Sequence, residues 1–85
     1  MQIIYSRRFK KEYKKCPEEI KILFARKLKT LLENPDYPLL NNHPLTGELL
    51  GYRSVNVTGD WRLIFQSNNE SIILEAIGTH SQLYK

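Results

Sequence analysis

Residues 52–77 read YRSVNVTGDWRLIFQSNNESIILEAI, three runs rich in β-branched and aromatic residues broken twice by polar turn residues. Tyr52–Val57, Asp60–Gln66 and Glu70–Ile77 are therefore predicted strands, joined by turns at Thr58-Gly59 and Ser67-Asn68-Asn69. Turns this short make neighbouring strands antiparallel. Alternation then assigns the faces. Val55 and Val57 share a side with Arg53, while Tyr52, Ser54 and Asn56 take the other. In the next strand Trp61, Leu63 and Phe65 oppose Arg62, Ile64 and Gln66. The Val and Leu/Phe sides are the ones to bury, which leaves Ser54, Asn56 and Arg62 for an open face. Arg53 falls on the apolar side, so it is expected at the edge of the core, paired with an acid such as Glu75 or Glu48.

Upstream, Gln2 to Tyr5 reads as a first strand, and Ser6 as the N-cap of a helix running to about Lys15. Phe9, Tyr13 and Cys16 line one face of that helix, and its lysines lie elsewhere. Pro17, Glu18 and Glu19 open a second helix, with proline early and acids near the positive end of the dipole. Its buried stripe is Ile20, Leu23, Phe24, Leu28, Leu31 and Leu32, and Asn34-Pro35 ends it. The tight joint makes the two helices a hairpin. Residues 34–51, rich in Pro, Asn and Gly, form a long loop with room for a short extended piece, and long loops in compact domains are commonly functional. Thr79–Lys85 is a tail with room for one helical turn. The order β-α-α-β-β-β predicts one α+β domain over residues 1–85. In it the N-terminal strand and helical hairpin pack on a mainly antiparallel four-stranded sheet whose other face is at least partly open.

Composition narrows the function. The chain has 85 residues, 41% of them hydrophobic, enough for one modest core. Cys16 is the sole cysteine, which excludes an intramolecular disulfide and points to a reducing compartment, the cytoplasm. The first residues lack the apolar core of a signal peptide, and no run nears the ~20 apolar residues of a membrane span. Charge is polarised. Residues 1–30 carry ten Lys/Arg against three acids, a balance of +7, and residues 31–85 carry three against six, −3. Lys10, Lys11, Lys14 and Lys15 lead the basic segment. Such a surface suits a polyanion such as RNA, or an acidic segment of a partner protein, although a solvated helix face would carry the same charges.

Chemistry-bearing residues are few. His43 and His80 have no Cys or His at ligand spacing, so no metal site is expected, and no small-molecule cofactor. Phosphate-loop and nucleophile-elbow motifs are absent. What remains is His43, Asp60, Arg62, His80 and Tyr84 as catalytic candidates, with Ser54, Asn56 and Trp61 as candidate RNA contacts. RNA brings its own nucleophile, the 2′-hydroxyl. Its cleavage needs a base, an acid for the departing 5′-oxygen and a cation for the phosphorane. An imidazole, with an ordinary pKa near ~6.5, serves as either at neutral pH, and an arginine fork suits phosphate. The same residues have plainer roles: a loop histidine before Pro44, a turn aspartate at 60, a core tryptophan at 61 and a tail anchor at Tyr84.

The run His43-Pro44-Leu45, Gly47, Gly51-Tyr52-Arg53, Asp60-Trp61, Gly78-Thr79-His80-Ser81 and Leu83-Tyr84 resembles the RelE/ParE superfamily of toxins from bacterial type II toxin–antitoxin systems, most closely the YafQ-like branch. The resemblance spans nearly the whole chain. It implies a toxin that is a metal-independent endoribonuclease, an mRNA interferase acting on mRNA at the ribosome and neutralised by a cognate antitoxin. It assigns catalysis to His43, Asp60 and His80, and functional roles to Trp61 and Tyr84. From the RelE branch it adds Arg62 on the phosphate. Ser54 and Asn56 replace an acid and a histidine of the YafQ-like branch, and Ala76 stands where the family has an arginine. We read His80 as general acid and His43 as base, an assignment that chemistry also allows in reverse, with Asp60 able to share the base role. ParE-type relatives share the fold but bind DNA gyrase, the alternative function. A catalytically weak module binding RNA or antitoxin is a third. The histidine pair discriminates, because a gyrase binder needs neither.

Overall fold

The computed structural model describes residues 1–84, so Lys85 at the end of the expected tail lies outside the described residues. Strand β1 (Gln2–Tyr5) leads into helix α1 (Arg7–Lys14) and helix α2 (Glu18–Glu33). Strand β2 (His43–Pro44) lies within the long connection, between two short 3-10 turns. Strands β3 (Arg53–Asn56), β4 (Trp61–Ser67) and β5 (Ser71–Thr79) follow, and helix α3 (His80–Leu83) closes the described chain. The sheet order is β1-β5-β4-β3-β2, with β1 parallel to β5 and every other pair antiparallel. The sheet thus has five strands where the sequence predicts four. The addition is β2, whose two residues are too few for any alternation to announce them. Among the described residues no helix is long and apolar enough to cross a membrane.

The helical hairpin covers one face, as alternation requires. Phe9, Ile20, Phe24 and Leu31 meet Val55, Val57, Leu63, Phe65, Leu74 and Ile77 in one core. Phe9 is its aromatic centre, with ring centroids 5.5 to 5.7 Å from Tyr5, Tyr13 and Phe24. Cys16 is buried where the helices join, and burial raises its thiol pKa above the ordinary value, which keeps it protonated and inert.

The opposite face is not open at its middle. Ile64, Ala76 and Leu83 form a second small core, flanked by Leu45, Leu49, Tyr52 and Tyr84. Ser54 faces this side but is fully buried, against the expectation of an exposed position. The loop 45–52 and α3 roof the sheet there, and neither roof is readable from strand alternation.

One register shift decides which β5 side chains reach which face. Phe65 pairs with Leu74 and Ile64 with Ala76, so Glu75 is an extra residue in β5. Uninterrupted alternation would place Ala76 with Leu74 and turn Ile77 to the other side. The bulge lets Ile77 join Leu74 in the helix-side core and returns Ala76 and Gly78 to the far face. Ser6 holds the bulge. Its hydroxyl donates to the Glu75 carbonyl at 2.8 Å and accepts from the Phe9 amide at 2.9 Å, capping α1. Its own amide donates to the Leu74 carbonyl. Beyond the end of β1, the Ile77 amide donates to Glu12 Oε1 at 3.1 Å, so α1 also satisfies the uncovered edge of β5.

Ser6→Ala removes a helix cap and the hydroxyl that donates to the bulge carbonyl together, and should cost about 1–3 kcal/mol in urea unfolding. Ser6→Thr, which keeps the hydroxyl, should recover most of it. Equal midpoints for wild type and Ser6→Ala would show that the bulge does not depend on this bond.

Candidate active site

The far face of the sheet is built in cross-strand rows. His43 pairs with Ser54, Ser54 with Ile64, and Ile64 with Ala76. One step along, Asn56 pairs with Arg62 and Arg62 with Gly78. Two residues past Gly78 the chain turns into α3, and His80 is its first residue. The turn is fixed by a capping box, in which the Thr79 hydroxyl accepts from the Gln82 amide and the Gln82 side chain accepts from the Thr79 amide at 2.9 Å. Gly78 permits α3 to fold this closely, since a Cβ there would lie 3.0 Å from Gln82 Oε1 and 3.3 Å from Leu83 Cδ2.

These placements converge on one pocket of about 370 Å³, lined by Asn41, His43, Leu45, Arg62, His80 and Tyr84. Four of the five residues singled out for catalysis therefore share a wall. His43 is half-buried and His80 is exposed. Nδ1 of His43 lies 2.7 Å from the Asn41 carbonyl. A carbonyl only accepts, so Nδ1 carries the proton and the neutral ring has its lone pair on Nε2. Asn41 adopts a left-handed conformation, φ 48° and ψ 47°, one that asparagine tolerates better than most side chains. His80 and Tyr84 are one helical step apart, ring centroids 4.8 Å. The Arg62 guanidinium is pinned through Nη1 to the carbonyls of Gly59 (2.6 Å) and Thr58 (3.2 Å), which leaves its Nε and Nη2 side for an oxyanion.

Three polar atoms on this face are buried without a partner among the described residues: Ser54 Oγ, Asn56 Oδ1 and Tyr84 Oη. Buried polar groups are rarely left so. Ser54 is fully buried, which removes it from an exposed surface, whereas Asn56 is half-buried with only its Oδ1 enclosed.

Two sequence candidates lie elsewhere. Asp60 is exposed and its carboxylate does not line the pocket; its backbone carbonyl instead accepts from the His80 amide at 2.9 Å and positions that residue. Trp61 points to the helix side and lines a separate groove with Glu12, Lys15, Ile77 and Gln82. Lys10, Lys11, Lys14 and Lys15 are exposed on and just after α1, across the sheet from the histidines. Arg53 makes no bond to Glu75 or Glu48: its Nε donates to Asn42 Oδ1 at 2.7 Å. Its acceptor lies in the loop, where neither charge nor periodicity points to it. Asn41 and Leu45 were not singled out by sequence, and their nearness to His43 is the one signal that could have found them. Among the described residues no three His, Cys, Asp or Glu side chains gather in a cluster able to hold a metal ion.

Residues 1–85 match the family model described as a bacterial toxin of type II toxin–antitoxin system, YafQ. The mRNA interferase toxin YafQ of Escherichia coli K12 is 36% identical over 86 residues, which covers 96% of this chain and 94% of that protein. The crystal structure of YafQ from E. coli BL21(DE3) superposes with a TM-score of 0.87 at 27% identity, covering 99% and 98% of the two chains. A chain of the E. coli DinJ–YafQ toxin–antitoxin complex superposes with a TM-score of 0.73 at 30% identity, covering 99% and 97%. With family model, sequence and fold in agreement over its length, this chain belongs to the YafQ family of bacterial type II toxins.

Proposed function

We propose that this toxin is a cytoplasmic mRNA endoribonuclease that cuts with its own side chains and is held in check by a cognate antitoxin. The observation that carries the reading is the convergence of His43, Arg62, His80 and Tyr84 on one pocket. His43 Nε2 takes the proton of the RNA 2′-hydroxyl, because Nδ1 already carries one. The 2′-oxygen then attacks the adjacent phosphorus, and Arg62 stabilises the charge that builds on the phosphorane. His80, protonated, gives its proton to the departing 5′-oxygen. The products are a 2′,3′-cyclic phosphate and a 5′-hydroxyl. Tyr84 packs its ring against His80 and helps to wall the pocket. Asp60 acts through its backbone, by holding His80.

The basic segment has a different task. The lysines of α1 lie on the helix side of the sheet and the catalytic pocket on the other, although Lys15 shares a groove with Gln82 of α3. The lysines suit a second, structured RNA surface, as the ribosome offers around a bound message. The mRNA interferase name of the E. coli relative and its occurrence with DinJ support the substrate class and the antitoxin. Gyrase binding leaves the histidine pair without a role.

His43→Ala and His80→Ala should each lower cleavage of a ribosome-bound reporter mRNA by ~10²–10⁴, and Arg62→Ala by ~10²–10³, with thermal melting unchanged for the histidine variants. Wild-type cleavage by both histidine variants defeats the mechanism; gyrase inhibition by a wild type that cuts no RNA favours the alternative.

Tyr84→Phe deletes an unsatisfied buried hydroxyl. It should leave the melting temperature unchanged or raise it, with cleavage near the wild-type rate, because the hydroxyl is enclosed and the ring that packs on His80 is retained. A lower melting temperature would reveal a structural bond to that hydroxyl.

Replacing Lys10, Lys11, Lys14 and Lys15 together by glutamine should weaken ribosome binding and flatten its dependence on salt. Each lost phosphate contact removes about one log unit of affinity per log unit of salt. An unchanged slope would make these lysines a solvated face or an antitoxin surface.

A further inference from the structure

Among the described residues the sheet carries two arginines, Arg53 and Arg62, and the catalytic reading leaves Arg53 unused. It lies on the helix side of β3, cross-strand from Pro44 and Phe65, at a cavity lined by Leu31, Phe65, Ile72 and Asn42. Among the described residues no carboxylate lies within ion-pair distance of it. Its Nε instead donates to Asn42 Oδ1 at 2.7 Å, and Nη2 reaches the Asn42 carbonyl at 3.5 Å. The Asn42 amide nitrogen donates to the Pro35 carbonyl at 3.1 Å. Asn42 is thus held from two directions. Its neighbours are the two residues that set the state of the candidate base: Asn41, left-handed, whose carbonyl takes the Nδ1 proton, and His43 itself.

We propose that Arg53 is a positioning residue for the reaction. By gripping Asn42 from the helix side of the sheet, it holds the Asn41 carbonyl against Nδ1 of His43 and keeps Nε2 unprotonated toward the pocket. The physical need is plain. A neutral imidazole in water divides its proton between both nitrogens, and only the form with a free Nε2 is the base this pocket uses. The required carbonyl belongs to a residue in a sparsely populated backbone conformation on a loop, which a few bonds must over-determine. The Arg53–Asn42–Pro35 chain supplies those bonds, and a guanidinium does so without ever losing its charge. The catalytic consequence rests on His43 being the base; the structural one does not.

The test uses full-length protein carrying Arg53→Met, Asn42→Leu and Asn42→Asp. Arg53→Met and Asn42→Leu break the latch at the grip of Arg53, whereas Asn42→Asp keeps an oxygen acceptor for Arg53 and gives up only the amide donor to the Pro35 carbonyl, so it tests the Arg53 grip alone. Two readouts are taken: long-range ¹H–¹⁵N spectra of the His43 ring, which separate the two neutral tautomers, and single-turnover cleavage of ribosome-bound mRNA across pH. Melting curves confirm that each variant is folded. Wild type and Asn42→Asp should hold His43 with the proton on Nδ1. Arg53→Met and Asn42→Leu should show a mixture of tautomers and cleave roughly 10–100-fold more slowly, the usual scale for loss of a residue that orients a catalytic group. A His43 ring that stays wholly in the Nδ1-protonated form in both latch-breaking variants overturns the proposal. A mixed ring with wild-type cleavage leaves the latch standing and overturns the assignment of His43 as base.

Discussion

The architecture turns on the hydroxyl of Ser6. It is the point where the first strand ends, the first helix begins and the last strand changes face. The Glu75 carbonyl it captures belongs to an inserted residue, and that insertion flips every β5 side chain beyond it. Ile77 thereby completes the helix-side core, and Gly78 arrives beside Arg62 with no side chain to obstruct the turn into α3. Had β5 alternated without interruption, His80 would have left the sheet from the opposite phase. A bond more than sixty residues long in sequence therefore sets the position of a catalytic candidate at the other end of the sheet.

Much of this was legible because the signals are local. Ser6 caps α1 and Asn34 ends α2 at the places where side-chain chemistry puts them. The alternation of β4 sends Leu63 and Phe65 to the helices and Arg62 to the other face over residues that keep a strict period of two. The bulge at Glu75 was not legible, since Ile72, Ile73, Leu74, Ala76 and Ile77 are apolar in either register. Strand β2 was not legible because two residues carry no period. The second core joins Ile64, Ala76 and Leu83 from three elements, and no single stretch of sequence contains its pattern. Burial of Ser54 follows from that core, so a residue expected in solvent lies instead beneath the roof. In the site itself, residue types pointed to the histidines, arginine and tyrosine. The convergence depends on β2 and α3, the two shortest elements.

The two faces of the sheet divide stability from chemistry. The helix side is closely filled and carries the aromatic cluster around Phe9. The far side contains the unsatisfied atoms of Ser54, Asn56 and Tyr84. Each such atom costs on the order of 1–3 kcal/mol when nothing bonds it. A domain of 85 residues has little surplus to absorb that cost. Confining the unsatisfied groups to the face with the smaller core limits the damage, because the larger core is insulated from them by the sheet.

The same division gives a reason for the proposed control of His43 to come from the helix side of the sheet. Polar groups added around His43 on the pocket side would compete with RNA for its ring and for Arg62. Asn42 and His43 are adjacent, and alternation sends their side chains to opposite faces of β2 and the loop leading into it. A grip on Asn42 therefore acts on the backbone that carries His43 without entering the pocket. Arg53 reaches Asn42 because β3 pairs with β2 at Pro44, and its aliphatic stem passes over the core that Leu31 and Phe65 build. The apparent misfit of an arginine on the apolar face of β3 is then the position from which it can act, since any residue on the other face of that strand would lie among the groups reserved for substrate.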